Sequence, residues 1–313
     1  MSFLHLLLPP LVRFDDAPSL KRWLARGDRL ADAPRGREAA LREVFQLPGA
    51  SLPVAALLRQ HLVHDAGEHV WLCADPAYVR AEAHGARLFA RGDDLELTRE
   101  EAEGLAQPLR PLFGDAGAPL EISTPAHWAL RLPCGTPLPD FIGPEDALGV
   151  NLLECMPQGD AGRRWRALFN EAQIILHSHP LNAQRRARGQ MPVNALWFWG
   201  AGALPMWVRS PMTRVSSDDA LVLALFARAS TSSGTIPAAS KLAPAALEDA
   251  SRGGDTLLDF FGVDAASIER DWLARMDDAL RRGRARRIEL AFASGERFRI
   301  RPWHRWRVWR RAS

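Results

Sequence analysis

Cysteine is scarce and scattered. Cys73, Cys134 and Cys155 are odd in number and form no CxxC pair. They offer no disulfide framework, which argues against a stapled secreted scaffold and for a reducing compartment. Long apolar runs are missing as well. No stretch approaches the roughly eighteen uninterrupted apolar residues that a membrane span needs. The opening MSFLHLLLPPLV is apolar but short, without a basic leader or a small-residue cleavage site. It reads as a buried first strand, and the expectation is a cytoplasmic protein with no membrane partner. Ligand motifs are also absent: there is no HExxH, no cysteine or carboxylate cluster at metal-ligand spacing, and no GxGxxG or P-loop. The expected set is therefore no metal, no cofactor and no assigned catalytic residue.

What is present fits a soluble α/β chain. The 313 residues can bury a sizeable core, and the apolar fraction is 47%. Net charge is only +3, but it is uneven: from Arg281 to Ser313 there are twelve arginines against Glu289 and Glu296. Such a tail can attract phosphates or acidic surfaces, or simply form a solvated face.

Periodicity changes often along the first half. LHLLLPPL, HVWLCAD, ARLFA (86–90) and HWALRL (127–132) read as strands, with a turn expected at Asp75-Pro76. SLKRWLARG, GREAALREVF and LPVAALLRQHLV read as helices. Thr98 with Glu101 makes a capping box for TREEAEGLAQPLRPLF, which Pro108 and Pro111 should shorten or kink. Proline and glycine crowd 133–160, the expected seam between an N-terminal lobe, 1–132, and a C-terminal lobe, 161–313. A long helix over about 161–176 should bury Trp165, Leu168, Phe169, Ala172, Ile175 and Leu176, with Pro180 stopping or kinking it. VNALWFW (193–199) is of strand length and most simply a central strand. Ser216 precedes the helix DDALVLALFARA, and 227–246 is expected to be irregular. Asp264 should start a long amphipathic helix ending at Gly283. RIELAFASGERFRI then reads as a C-terminal β hairpin, with strand-like alternation resuming after Pro302. The fold class is α/β, a mixed sheet with flanking helices.

The stretch Ile175 to Gly202, ILHSHPLNAQRRARGQMPVNALWFWGAG, concentrates candidate ligand-binding groups. His177 and His179 would point apart on one helix, so a shared metal is disfavoured; capping or core roles compete with anion contact. Arg185, Arg186 and Arg188 suit phosphate or carboxylate through their fork, or form a solvent-facing connection. Asn182 and Asn194 look like residues that tie the loop together. Gly200 and Gly202 follow a strand, where α/β proteins often place ligands, but WGAGALP is not a nucleotide fingerprint.

HSHPLNAQRRARGQMPVNALWFWGAGALP resembles the segment "HPvN..R...G...N.lWlWG.G..P" of archaeal-type, cofactor-independent phosphoglycerate mutases, members of the alkaline-phosphatase-like superfamily. LLLPPL, LPVAALLR, CADPAYVRAE, NEAQIILHSHPLN, VNALWFWGAGALP and HRWRVWR, in that order, are similar over most of the chain to bacterial phosphoglycerate-mutase-like proteins and regulatory proteins of the RpfE type. The resemblance implies a reduced alkaline-phosphatase-like core. In the mutases an Asp-Gly after the first strand, a serine nucleophile and later Asp/His ligands carry two divalent metals, which activate the serine. Here the first strand leads to PPLVRFDDAPS, with Asp15, Asp16 and Ser19 the acids and hydroxyl nearby and no Asp-Gly pair. Carried over onto matching positions are His179, Pro180, Asn182 and Arg185, then Asn194, Trp197, Trp199, Gly200, Gly202 and Pro205, with the tryptophans expected mainly in the core.

Three functions follow as expectations. The first is a non-catalytic, mutase-like protein with a regulatory or ligand-sensing role. Its candidate partners are a phosphorylated or carboxylate small molecule, clamped by Arg185, or another protein. The second is a phosphoglycerate mutase or related metal-dependent phosphotransfer enzyme, which would need Asp75, His84, Asp218 and Asp219 to converge on a serine. The third is a nucleic-acid-binding protein using Trp303, Trp306 and Trp309 with the C-terminal arginines. No nucleic-acid motif accompanies them, so nucleic acid is the least favoured partner.

Overall fold

A computed structural model describes residues 3–82, 85–147, 149–233, 238–243, 247, 254–307 and 309–310. Among these residues the strands are β1 (Phe3–Leu8), β2 (Asp28–Arg29), β3 (Val70–Glu82), β4 (Gly85–Arg91), β5 (Leu120–Ile122), β6 (Trp128–Leu132), β7 (Ala195–Ala203), β8 (Arg214–Ser216), β9 (Ala238–Ser240), β10 (Thr256–Asp259), β11 (Arg287–Phe292) and β12 (Arg297–Ile300). The architecture is mixed α/β, as expected.

The chain divides into two compact units: Met1–Pro48 with Met206–Ser313, and Gly49–Pro205. This differs from the division at 133–160 read from composition. The proline-rich stretch lies wholly inside the second unit, and the first is assembled from both ends of the chain. The reason is strand pairing. β1 lies between β10 and β11, parallel to both, so residues far apart in sequence share one sheet. Within the first unit the outgoing and returning chains pair, Gln46 and Arg209 exchanging N–H···O bonds of 2.8 Å. Within the second, Pro53 and Gly202 are in contact at the corresponding ends.

The first unit carries a seven-stranded sheet, β2-β12-β11-β1-β10-β8-β9. β11, β1, β10, β8 and β9 are parallel; β12 and β2 add antiparallel pairs at one edge. Leu4, Leu6 and Leu8 project from β1 into a core with Leu258, Ile288, Leu290, Phe292, Trp272 and Met276, following the period of two of a strand. The β11–β12 hairpin is as expected. The helix expected after Asp264 is present in pieces, with a π turn over Ile268–Trp272 before Leu273–Arg281. After Pro302 the alternation does not continue as strand. Pro302–Trp306 is a 3-10 turn, because proline cannot donate to a ladder and His304 is drawn into the interior, 2% exposed. The stretch 227–246, expected to be irregular, is in good part regular: helix Ala220–Ser233 runs on into it and β9 follows, while 234–237 and 244–246 lie outside the described residues.

The second unit is an antiparallel sheet, β4-β3-β6-β5, with β7 also on β3. β7 pairs with Val70–Ala77 on one edge of β3; β6 takes Val70–Cys73 and β4 takes Ala77–Glu82 on the other. β3 therefore runs through Asp75-Pro76, where a turn was expected. Pro76 falls where the second edge passes from β6 to β4, so the missing N–H breaks no ladder. β7 is not central: among the described residues its only strand partner is β3. It reads as continuously apolar because the helices Val54–Leu62 and Gly159–His177 pack on it. The Thr98–Glu101 capping box forms in both directions, at 3.1 and 3.3 Å. Helix Arg99–Ala106 passes through a 3-10 turn at Pro108 to Arg110–Asp115, so the prolines act as anticipated.

The units differ in charge. The first holds 27 Lys and Arg against 19 Asp and Glu, a net of +8; the second holds 13 against 18, a net of −5.

Candidate functional site

The long helix Gly159–His177 ends at Ser178, and Pro180 opens a second helix, Pro180–Ala187, rather than a polar loop. Proline at a first helical position has no N–H to lose. His179 caps that helix, Nδ1 accepting the Leu181 N–H at 3.3 Å, while His177 is exposed at the end of the first. Asn182 is fully buried. Its Nδ2 donates to the Leu176 and Val193 carbonyls at 2.7 Å each, and its Oδ1 accepts the Val193 N–H at 2.8 Å. It thus ties the end of one helix to the start of β7.

Arg185 is also fully buried. Nε donates to Met191 O at 2.9 Å, one terminal nitrogen to Glu101 at 2.6 Å and the other to Leu95 O at 2.5 Å. Arg188 holds the second Glu101 oxygen. Burial works against the Glu101 charge, but the Thr98 N–H, Arg185 and Arg188 outweigh it and hold the carboxyl below its usual pKa. Asn194, just before β7, extends the pairing with its side chain: Oδ1 accepts the Val79 N–H and Nδ2 donates to the Val79 carbonyl, each at 2.8 Å. Gly200 and Gly202 sit at φ 62° and 152°, and a Cβ on either would lie 2.6 Å from Val54 or Pro53. Close approach of the Val54–Leu62 helix requires both.

His179, Asn182, Arg185 and Asn194 therefore gather near the start of β7. Gly200 and Gly202 lie some 20 Å away at its other end, at about 3.3 Å per residue. His177 joins neither group. Trp197 and Trp199 are core residues at 2% and 8% exposure.

A second polar cluster lies beneath β7. Asp75, buried within an apolar strand, accepts Trp199 Nε1–H at 2.8 Å and the Trp128 N–H at 3.3 Å. Arg91 stands 3.5 Å from the carboxylate, 5.0 Å over the Trp199 ring and 3.1 Å from Glu145. His127 Nδ1 is 3.8 Å from Asp75 and makes no hydrogen bond there. Burial disfavours its charge, yet Asp75 and Asp93 prevail and raise its pKa. Asp75 was visible as an acid in an apolar run; Arg91 and His127 had no signal beyond residue type.

In the first unit the carboxyl ends of the parallel strands are the place where α/β sheets hold ligands. β1 ends there in Leu8-Pro9-Pro10. At the ends of β10 and β8, Ser217 donates to Asp259 at 2.7 Å and accepts the Asp219 N–H at 2.9 Å. Ser217 is 1% exposed. Burial raises the Asp259 pKa. Asp219 caps the helix Ala220–Ser233, accepting Leu221 and Val222 N–H groups at 2.8 and 3.1 Å, and pairs with Arg37. The set does not fit a divalent metal: each acid is engaged with protein donors, and β1 supplies none. Among the described residues no group of three or more His, Cys, Asp or Glu could hold a metal ion. Asp75 belongs to the other unit, and His84 lies outside the described residues.

No family model matches the chain. Curated relatives match over a limited stretch. The probable 2,3-bisphosphoglycerate-independent phosphoglycerate mutase of Geobacter sulfurreducens is 36% identical over 64 residues, 20% of this chain and 16% of the relative. The 2,3-bisphosphoglycerate-independent phosphoglycerate mutase of Methanosarcina barkeri is 36% identical over 62 residues, again 20% and 16%. Two solved structures align over 96% of this chain. The PH0037 protein of Pyrococcus horikoshii has a TM-score of 0.49 at 14% identity over 86% of its chain. The cofactor-independent phosphoglycerate mutase of Thermoplasma acidophilum has 0.42 at 16% over 89%. The chain thus bears a distant resemblance to cofactor-independent phosphoglycerate mutases. Among its described residues no helix is long and apolar enough to cross a membrane.

Proposed function

We propose that this is a mutase-like protein that does not turn over phosphoglycerate, a cytoplasmic regulatory or ligand-sensing protein of the RpfE type. The observation that carries this reading is Ser217. It is a hydroxyl just past the end of β8, yet it is buried and engaged on both sides, by Asp259 and by the Asp219 N–H. A serine so held is closed to an incoming phosphate. The sensed ligand is a phosphorylated or carboxylate small molecule, or a protein takes its place. Arg185, fully committed inside the second unit, organises that unit rather than gripping a ligand.

The test is calorimetric titration with 3-phosphoglycerate, with and without manganese, while 2-phosphoglycerate formation is followed in the same samples. Phosphoglycerate binding without metal and without turnover is the expected outcome. Turnover that requires manganese would overturn the reading.

A further inference from the structure

In the first unit, the 3-10 turn Pro302–Trp306 forms one wall of a groove of about 280 Å³, with the helices Pro18–Arg26 and Leu273–Arg281 as the others. Arg22, Arg26, Arg281, Arg301 and Arg305 line it against Glu269 and Asp277. Both carboxylates are engaged. Glu269 accepts the Ser19 and Leu20 N–H groups at 2.7 and 3.1 Å, and Asp277 pairs with Arg281 at 2.6 Å. Among the described residues, Arg22, Arg26, Arg301 and Arg305 form no close ion pair, although Arg301 acts on Asp28 from a distance and Arg26 donates to Arg305 O at 3.4 Å; Arg26 Nε is buried without a hydrogen bond. The groove is therefore cationic, within a unit of net charge +8.

The same segment also carries Trp303 and Trp306, on an edge beside the groove and outside its lining. Trp303, Trp306 and Trp309 are 51%, 66% and 73% exposed. On a 3-10 helix residues three apart fall on one edge, about 6 Å apart along the axis, which sets Trp303 and Trp306 side by side. Arg301 lies 4.9 Å over Trp303 and Arg305 lies 4.9 Å over Trp306, each covering one ring face. The segment is firmly held. Arg307 bonds Asp28 at 2.6 Å and Arg26 O at 3.0 Å, Arg310 bonds Gly27 O at 3.3 Å, and buried His304 stands 3.3 Å from Asp28.

We propose that this arginine groove and tryptophan edge bind single-stranded nucleic acid, with guanidiniums on phosphates and indoles stacked on unpaired bases. Arginine beside exposed aromatic rings is the chemistry such a strand requires. In a duplex the base faces are already stacked and closed to the indoles. A flat membrane would not use a concave groove, and a lone phosphate would leave the tryptophans uncovered. The proposal does not depend on the mutase-like reading.

The test is fluorescence anisotropy of a labelled oligothymidylate of about twenty nucleotides with the full chain. At about 50 mM salt we expect a Kd in the micromolar range or tighter. Four arginines without a close ion pair, each on a phosphate, give a salt slope near −3, so binding should weaken by about 50-fold on raising salt fourfold. Replacing both Trp303 and Trp306 by alanine should weaken binding by at least about tenfold, since each stacked base contributes roughly 1–3 kcal/mol. Arg22→Glu, on an exposed helix face, provides a second variant should the first fold poorly. It should weaken binding several-fold and flatten the salt slope. No binding at low salt, equal affinity for a duplex, an unchanged Kd in folded variants, or binding only to phosphatidylserine vesicles would each overturn the proposal.

Discussion

The two units solve the same packing problem in opposite ways. The first builds a largely parallel sheet from both ends of the chain and carries a net charge of +8. The second is a continuous segment with an antiparallel sheet, a net charge of −5, and a buried arginine–carboxylate lock. The comparison teaches where specificity resides. In the first unit it lies in apolar alternation along strands that meet late. In the second, polar side chains with no freedom left fix how helices join the sheet.

The largest effect should come from breaking that lock. Glu101→Ala leaves Arg185 buried and unpaired, and removing one partner of a buried pair costs about 3–5 kcal/mol. Urea unfolding should show the loss in a transition of the second unit, with the first unit's transition retained. A single transition that moves as a whole would break the comparison. Leu258→Ala should do the reverse, destabilising the first unit by about 2–4 kcal/mol through a cavity beneath the parallel strands. Tryptophan fluorescence and circular dichroism followed together would show which unit responds. Gly202→Ala should cost roughly 1–3 kcal/mol, because the added Cβ meets Pro53 and the backbone resists rearrangement. A neutral result in thermal unfolding would mean that the Val54–Leu62 helix can shift.

The smallest effect should be one histidine's part in the pH dependence of the second unit. The folded pKa of His127 is raised, its burial overcome by Asp75 and Asp93 while Arg91 opposes. Its contribution is therefore complete below the unfolded value near 6.5 and is lost as pH rises through the folded pKa. This part of the urea midpoint should fall as pH rises above about 6.5, and His127→Gln should remove it. An identical pH profile in the variant would exclude this histidine as the source.

Local signals were legible in the sequence where one short segment decides the outcome. The Thr98–Glu101 box, the long helix before His177, the hairpin of β11 and β12 and the buried first strand all formed as read. The unit boundary was not legible, since it depends on β1 meeting strands from the other end of the chain. Proline-rich 133–160 marks irregular backbone, and irregular backbone need not be a seam. Pro76 and Pro302 show the same limit. One is accommodated inside a strand and the other ends one, according to what lies alongside. At the candidate site, residue types drew attention to Asn182, Arg185 and Asn194. Their roles were set by Val193, Glu101 and Val79, which only the fold brings to them.

The position of β1 has a consequence for how the molecule is made. During synthesis its leucines emerge before the second unit, but β10 and β11, the strands on either side, emerge after it. The second unit can fold on the ribosome while β1 waits, an apolar strand with two unpaired edges. Such a strand is a natural client for a chaperone and the region most prone to mispairing before release.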